Sequence, residues 1–435
     1  MKTSRRVFLK QGAIALAAVG VAPAFGPSFL RNTVFAAEPA RNDKSTFGRK
    51  VLVCIFQRGA VDGLSMVVPH GDPNYYQFRT VDNNGIAIAR TGDNSVIDLD
   101  GKFGLNPALA ALKPIFDSGH LAPIQACGSP NPSRSHFDAQ DFMELAMFDK
   151  NTRDGWLART IAHCPEDQAK LATAFRSVSM TSILPLSLRG SDALAIPNLN
   201  TFDVGSGMAM PSAQKSSNSK GFESLYDDAV GDVLHGAGNE TFDALKQLRS
   251  IRAAKYVPAN GAQYPRNDLG QSMMQIAQLI KSNVGLEVAF AESGGWDTHH
   301  NQGGANGQLA RNLQGFGDSL AAFYKDMGDG MADVTVLTMS EFGRTVRQNG
   351  TGGTDHGHAN CFFAMGGDVK GGKVLGDWPG LAPEQLYQNR DLQVTTDFRN
   401  VFAEMAAKQM GVRDLTAVFP EFTVSPQNFR NILQA

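Results

Sequence analysis

Two acid–histidine clusters hold the residues of this chain best suited to chemistry. The first, Gly294-Gly-Trp-Asp297-Thr-His299-His300, follows the apolar run Glu287-Val-Ala-Phe-Ala-Glu292. The second, Gly352-Gly-Thr-Asp355-His356-Gly-His358, follows Val334-Thr-Val-Leu-Thr-Met-Ser340 and a polar loop. Four of the nine histidines fall here, each within three residues of an aspartate. Carboxylate oxygens and imidazole nitrogens on strand-end loops are the donors a divalent cation uses. Asp297, His299, His300, Asp355, His356 and His358 are therefore candidate ligands, and the expected cofactor is a divalent metal: Zn, Mn, Mg or Ca. Glycines on both sides let the backbone turn sharply and approach a ligand.

Further candidates sit where other strands should end. Lys50-Val-Leu-Val-Cys-Ile-Phe56 reads as a central strand, and Asp62 follows it as either another metal ligand or a turn former before Gly63. Leu121-Ala-Pro-Ile-Gln-Ala-Cys127 reads as a second strand, and a helix over about 136–147 follows it. Ser135 opens that helix, either as its N-cap or as a nucleophile where free N–H groups favour an anion. Arg134 could support that anion with a bidentate contact, and Ser133 is the neighbouring alternative hydroxyl. Glu341 and Arg344 follow the strand ending at Ser340. They form either an ion pair or a carboxylate behind a ligand and a substrate-anion clamp. Asp397 reads as a helix cap and Trp296 as packing. His70, His120, His163 and His235 stand in no acid-rich context and read as ordinary surface or core residues.

The elements that must position these residues alternate. Strands are expected over 284–291, 334–340 and 361–366, with helices over 106–117, 269–282, 308–326 and 397–410. Residues 181–200 read as a hairpin or small sheet, 205–220 as a mobile Ser/Gly/Asn-rich loop, and 221–255 as helical. Strands alternating with helices predict an α/β fold, a mostly parallel central sheet with helices on both faces. In such sheets ligands bind beyond the carboxyl ends of the strands. A single domain over 48–435 is expected, with an irregular or helical insertion at about 165–265.

Ser4-Arg5-Arg6-Val7-Phe8-Leu9-Lys10, an Ala-rich apolar stretch and Val34-Phe35-Ala36 form a twin-arginine signal over residues 1–36. It predicts export to the periplasm or beyond, with the twin-arginine translocase as a partner. The mature part has no run of about eighteen apolar residues, so no stable membrane span is expected. A net charge of −2 without a basic tract argues against nucleic acid as a partner. The four cysteines form no CxxC pair, and no GxGxxG follows a strand.

Several segments, in order, resemble the bacterial family called domain of unknown function 1501. They are Arg58-Gly-Ala-Val-Asp62-Gly-Leu-Ser65, Ser135-His-Phe-Asp-Ala-Gln140, Gly295-Trp-Asp297-Thr-His299, Ser340-Glu-Phe-Gly-Arg344-Thr345 and Thr354-Asp-His-Gly357. That family is grouped with the alkaline phosphatase and sulfatase superfamily. The resemblance implies an alkaline-phosphatase-like three-layer sandwich and a metal-dependent hydrolase of small anionic phosphate or sulfate esters. It places metal ligands at Asp62, Asp297 with His299 or His300, and Asp355-His356, and a nucleophile at Ser135. The chain departs from the two-zinc pattern, because no histidine follows His358 and the spacing after Asp297 is shorter. Pro130-Asn-Pro-Ser-Arg134 lacks the cysteine of the sulfatase motif, so formylglycine chemistry is not expected. The alternative is a non-catalytic, metal-stabilised envelope protein of the same fold with a binding or assembly role.

Overall fold

The computed structural model describes residues 46–82, 85–149, 152–165, 173–201, 251 and 255–434. The export signal, the 205–220 loop and all but residues 251 and 255 of the 221–255 helix lie outside the described residues. In chain order the strands are β1 (Val51–Gln57), β2 (Val67–Val68), β3 (Ile97–Asp98), β4 (Gly104–Leu105), β5 (Leu121–Gly128) and β6 (Ser177–Ser179). They continue with β7 (Leu194–Ala195), β8 (Val288–Ser293), β9 (Val334–Met339), β10 (Asn360–Gly366) and β11 (Thr396–Asp397).

Eight of these strands form one sheet in the order β11-β5-β10-β9-β1-β8-β6-β7, while β2, β4 and β3 make a small antiparallel sheet. Every neighbouring pair in the large sheet is parallel except the two that involve β10. Strand β1 lies in its centre, with Cys54 opposite Phe290 of β8 and Leu337 of β9. All seven residues of β1 are buried, which explains its unbroken apolar sequence.

Alternate residues of β1 feed two cores. Val51, Val53 and Ile55 pack with the helices Asp268–Lys281 and Gln308–Met327. Leu52, Cys54 and Phe56 pack with Trp156, Leu157, Val401 and Phe402, from helices on the other face. The layered α/β expectation holds. Helix Gln308–Met327 buries Leu309, Leu313, Phe316, Leu320 and Phe323. Their spacing of three and four residues draws one apolar stripe along it. Asn267 starts the other helix by accepting the Gly270 N–H at 2.7 Å.

Two local expectations are corrected. Leu194–Ala195 pairs parallel to Ser177–Ser179, so 181–200 is not a hairpin; Leu186–Leu188 is a 3₁₀ turn instead. The last long helix is α-helical only over Phe398–Glu404 and continues as a π-turn over Met405–Gln409.

The reversed strand matters for the site. Because β10 runs against its neighbours, the chain enters it at the edge where the parallel strands end. The loop carrying Asp355 and His356 therefore reaches the same rim as the loops after β1, β5, β8 and β9.

Candidate metal centre

Four side chains converge at that rim. His136 stands in the first turn of the helix after β5, Asp297 and His299 in the loop after β8, and His356 in the loop before β10. One donor atom each from His136, Asp297 and His356 can be chosen so that all lie within 4.8 Å of one another. The Nε2 atoms of His136 and His356 are 3.0 Å apart, and Asp297 Oδ1 is 3.6 Å from the first and 3.4 Å from the second. His299 Nε2 joins from the other side, 3.0 Å from both Asp297 Oδ1 and His356 Nε2.

The opposite nitrogen of each ring explains why these atoms face one another. His136 Nδ1 meets Glu341 Oε1 at 2.7 Å, His299 Nδ1 meets Asp355 Oδ1 at 3.2 Å, and His356 Nδ1 meets the Arg134 carbonyl at 2.8 Å. Ionised carboxylates and carbonyls only accept, so each Nδ1 carries a hydrogen. A neutral ring then presents an Nε2 lone pair. Facing lone pairs at hydrogen-bond distance repel until a proton on one ring or a cation between them relieves the repulsion. Among the described residues, His136, Asp297 and His356 are the three whose donors all lie close enough together for one ion. A ring whose outer N–H is fixed by an acceptor is the usual support of a metal-bound histidine.

The supports are themselves fixed. Glu341 is fully buried and also accepts from the Gly59 N–H at 2.8 Å and Gln140 Nε2 at 3.0 Å. Burial pushes its pKa up, but the hydrogen bonds from His136, Gln140 and Gly59 outweigh burial and hold it below the ordinary value. The pull of Glu341 in turn raises His136, while burial lowers His356. Asp297 is lowered because the Arg344 hydrogen bond and charge outweigh its burial. Phe342 packs 4.9 Å from the His136 ring and 5.0 Å from the His356 ring, walling the cluster on one side. Gly59 has φ +112°, and a Cβ there would stand 3.0 Å from the Asp297 nitrogen, so only glycine lets these loops approach.

Other expected residues lie elsewhere. Asp62 does not join the converging donors. It is buried, held by Arg79 at 2.7 and 3.0 Å, and accepts from Ser65 Oγ and Gln302 Nε2 at 2.7 Å each. Burial raises its pKa, but Arg79 more than compensates and keeps it below the usual carboxylate range. Gln302 Oε1 accepts from Thr298 and Thr354, at 2.8 Å each, so this network ties the two cluster loops together.

Arg344 is likewise not aimed at a ligand anion. Its guanidinium donates to the carbonyls of Gly59, Ala60, Trp296 and Thr354 and to Asp297 Oδ1, which makes it a scaffold for three loops. Asp355 supports His299 through the oxygen that also accepts from Asn349. His300 is exposed, its ring centre 6.4 Å from that of His299. His358 is buried and stacked on Tyr387; burial, then Arg134, brings its pKa down to about 4. Ser135 accepts the Asp138 N–H at 3.4 Å, an N-cap contact. Arg134 offers its carbonyl to His356 and its guanidinium to Asp391 at 2.6 Å.

His136 is the donor that sequence reasoning missed. Its signal was its place at a helix start beyond a strand's carboxyl end, beside Ser135.

Residues 49–421 match the family described as "Protein of unknown function (DUF1501)", and the chain belongs to that family. No curated protein matches its sequence. Among solved structures it is similar to the PsFucS1 sulfatase from Pseudoalteromonas sp., with 13% identity and a TM-score of 0.37. That likeness covers 88% of this chain and 70% of the sulfatase.

Proposed function

We propose that this protein is an exported, metal-dependent hydrolase of phosphate or sulfate esters, with its metal held by His136, Asp297, His299 and His356. The convergence of three Nε2 atoms on one carboxylate oxygen, each ring already fixed through Nδ1, carries the reading. A donor set so rich in nitrogen suits Zn or Mn and disfavours Mg and Ca, which prefer oxygen. A cation bound there supplies Lewis acidity toward the transferred group and acidifies a water molecule. Glu341, Asp355 and the Arg134 carbonyl orient the rings, and Arg344 holds Asp297 in place. The choice of phosphate or sulfate esters rests on the family resemblance.

The test is purified mature protein reconstituted with Zn or Mn, assayed on aryl phosphate and sulfate esters and by melting before and after chelation. A metal present at about 100 times its dissociation constant adds about 2.7 kcal/mol of stability, so chelation should lower the melting temperature. Protein without stoichiometric metal, indifferent to chelator and inert toward both esters, overturns the proposal. Ser135→Ala decides the attacking group. As an N-cap its loss costs about 1 kcal/mol with turnover kept; abolished turnover at unchanged stability makes Ser135 the nucleophile.

A second reading, a metal-stabilised envelope protein without catalysis, is favoured by one observation. Asp62 and Arg344, a metal ligand and an anion clamp by expectation, are both engaged in internal scaffolding. It predicts chelator-sensitive melting with no ester turned over.

Export rests on the twin-arginine segment. Among the described residues no helix is long and apolar enough to cross a membrane. Replacing Arg5 and Arg6 with lysine should retain the precursor in the cytoplasm, and undiminished export of that variant removes the translocase as a partner.

A further inference from the structure

Next to the metal-binding loops lies a cavity of about 690 Å³, a volume ordinary for a small-molecule site. Its walls are the start of helix Asp268–Lys281, the Arg311–Asn312 face of helix Gln308–Met327, the segment after β6, and the end of β8 at residues 292–294. Strands β6 and β8 are parallel neighbours, so this cavity opens on the same rim as the metal centre. Gly294 lines it and Asp297 follows three residues later, so at most roughly 10 Å of chain separates the wall from the ligand carboxylate.

A line of hydrogen bonds joins the two as well. Glu292, in the cavity wall, accepts from Arg58 Nε at 2.5 Å, and Arg58 Nη1 donates to Gln140 Oε1 at 3.0 Å. Gln140 Nε2 donates to the same Glu341 oxygen that orients His136. Asn312 in the opposite wall donates to the Gly295 carbonyl at 2.7 Å and steadies the loop leading to Asp297.

The lining has a definite chemistry. Gln271 and Ser272 present amide and hydroxyl groups, Glu292 a carboxylate bonded to Arg58 through one oxygen, and Arg311 a guanidinium from an exposed position, beside the apolar Met180, Leu269 and Phe316. Such a wall offers donors and acceptors side by side. An acyl chain or a flat apolar ring would leave those groups without partners. A sugar ring matches them, because each hydroxyl donates and accepts at once and adjacent hydroxyls can share one carboxylate or amide.

We propose that this cavity is a subsite for the sugar ring that carries the ester, so that the substrate is a phosphorylated or sulfated carbohydrate. The proposal rests on the ester-hydrolase reading and narrows it.

The experiment uses the metal-reconstituted mature chain and its Gln271→Ala/Arg311→Ala variant, both substitutions being at exposed positions that leave the metal ligands alone. Two measurements are made: hydrolysis of glucose 6-phosphate and glucosamine 6-sulfate relative to the aryl esters, and saturation-transfer NMR with free glucose and glucosamine. The expected result is saturation transfer to the free sugars that the variant loses, and a preference for sugar over aryl ester that falls about tenfold in the variant, as the loss of one or two hydrogen bonds implies. Aryl-ester turnover with no sugar binding, or sugar binding equal in both proteins, overturns the subsite and leaves the hydrolase intact. Sugar binding that the variant loses, with no ester of either kind hydrolysed, supports the subsite and overturns the hydrolase.

Discussion

Glu341 is the residue on which the proposed metal centre most depends without itself offering a donor to it. Its oxygen takes the Nδ1–H of His136 and is held by a backbone N–H and an amide. Glu341→Gln keeps the shape but replaces the charged acceptor, and metal affinity should fall about 10- to 100-fold with the fold retained. A metal titration of wild type and variant checks this, and equal affinities would detach His136 from the site. At this scale the sequence was half legible. Asp297, His299, Asp355 and His356 stand in two short runs, so their proximity is local. His136 and its partner Glu341 are 205 positions apart, and nothing local to the histidine announced the pair. Asp62 misled for the same reason: a buried Asp is defined by its partner, and Arg79 and Gln302 are 17 and 240 positions away.

Among the elements, long strands and helices were readable because each repeats a pattern over many residues. Strand β1 is apolar throughout, and helix Gln308–Met327 carries a stripe. Strand β7 has two residues and no repeat to read, which is why the segment around it looked like a hairpin. The direction of β10 was equally hidden, since an apolar run does not state which way it points. What holds the rim loops against these strands is the Asp62–Arg79–Gln302 network. Arg79→Met should leave the Asp62 carboxylate buried without its counter-charge and cost about 3–5 kcal/mol. Thermal unfolding of the variant measures this; an unchanged melting temperature would mean that the network is incidental.

For the whole molecule, the site writes a pH dependence whose direction depends on metal. In metal-free protein His136 has a raised pKa, so its stabilising contribution is complete below the unfolded value of about 6.5 and is lost as pH rises through the folded value. His356 has a lowered pKa, so its contribution runs the other way and below about 6.5, where stability falls as pH falls. Melting temperature should therefore peak near pH 6.5 without metal. With metal, protons compete for the same Nε2 atoms, and stability should keep rising above that pH. Melting curves from about pH 5 to 8, with and without chelator, test the contrast. Curves of one shape would show that these rings do not share a cation.

The reversed strand also has a consequence in time. Strand β10 lies between β5 and β9, yet it is made after both, so the sheet stays open in the middle until residues 360–366 leave the ribosome. His356 sits just ahead of it, 220 positions after His136. Chains that stop short of this point have neither a continuous sheet nor a complete donor set. Capture of metal at the proposed site would thus report that the last central strand has been threaded into place. Truncation anywhere before it leaves the sheet unclosed, and non-local closure is the slow and aggregation-exposed step in folding a sheet of this kind.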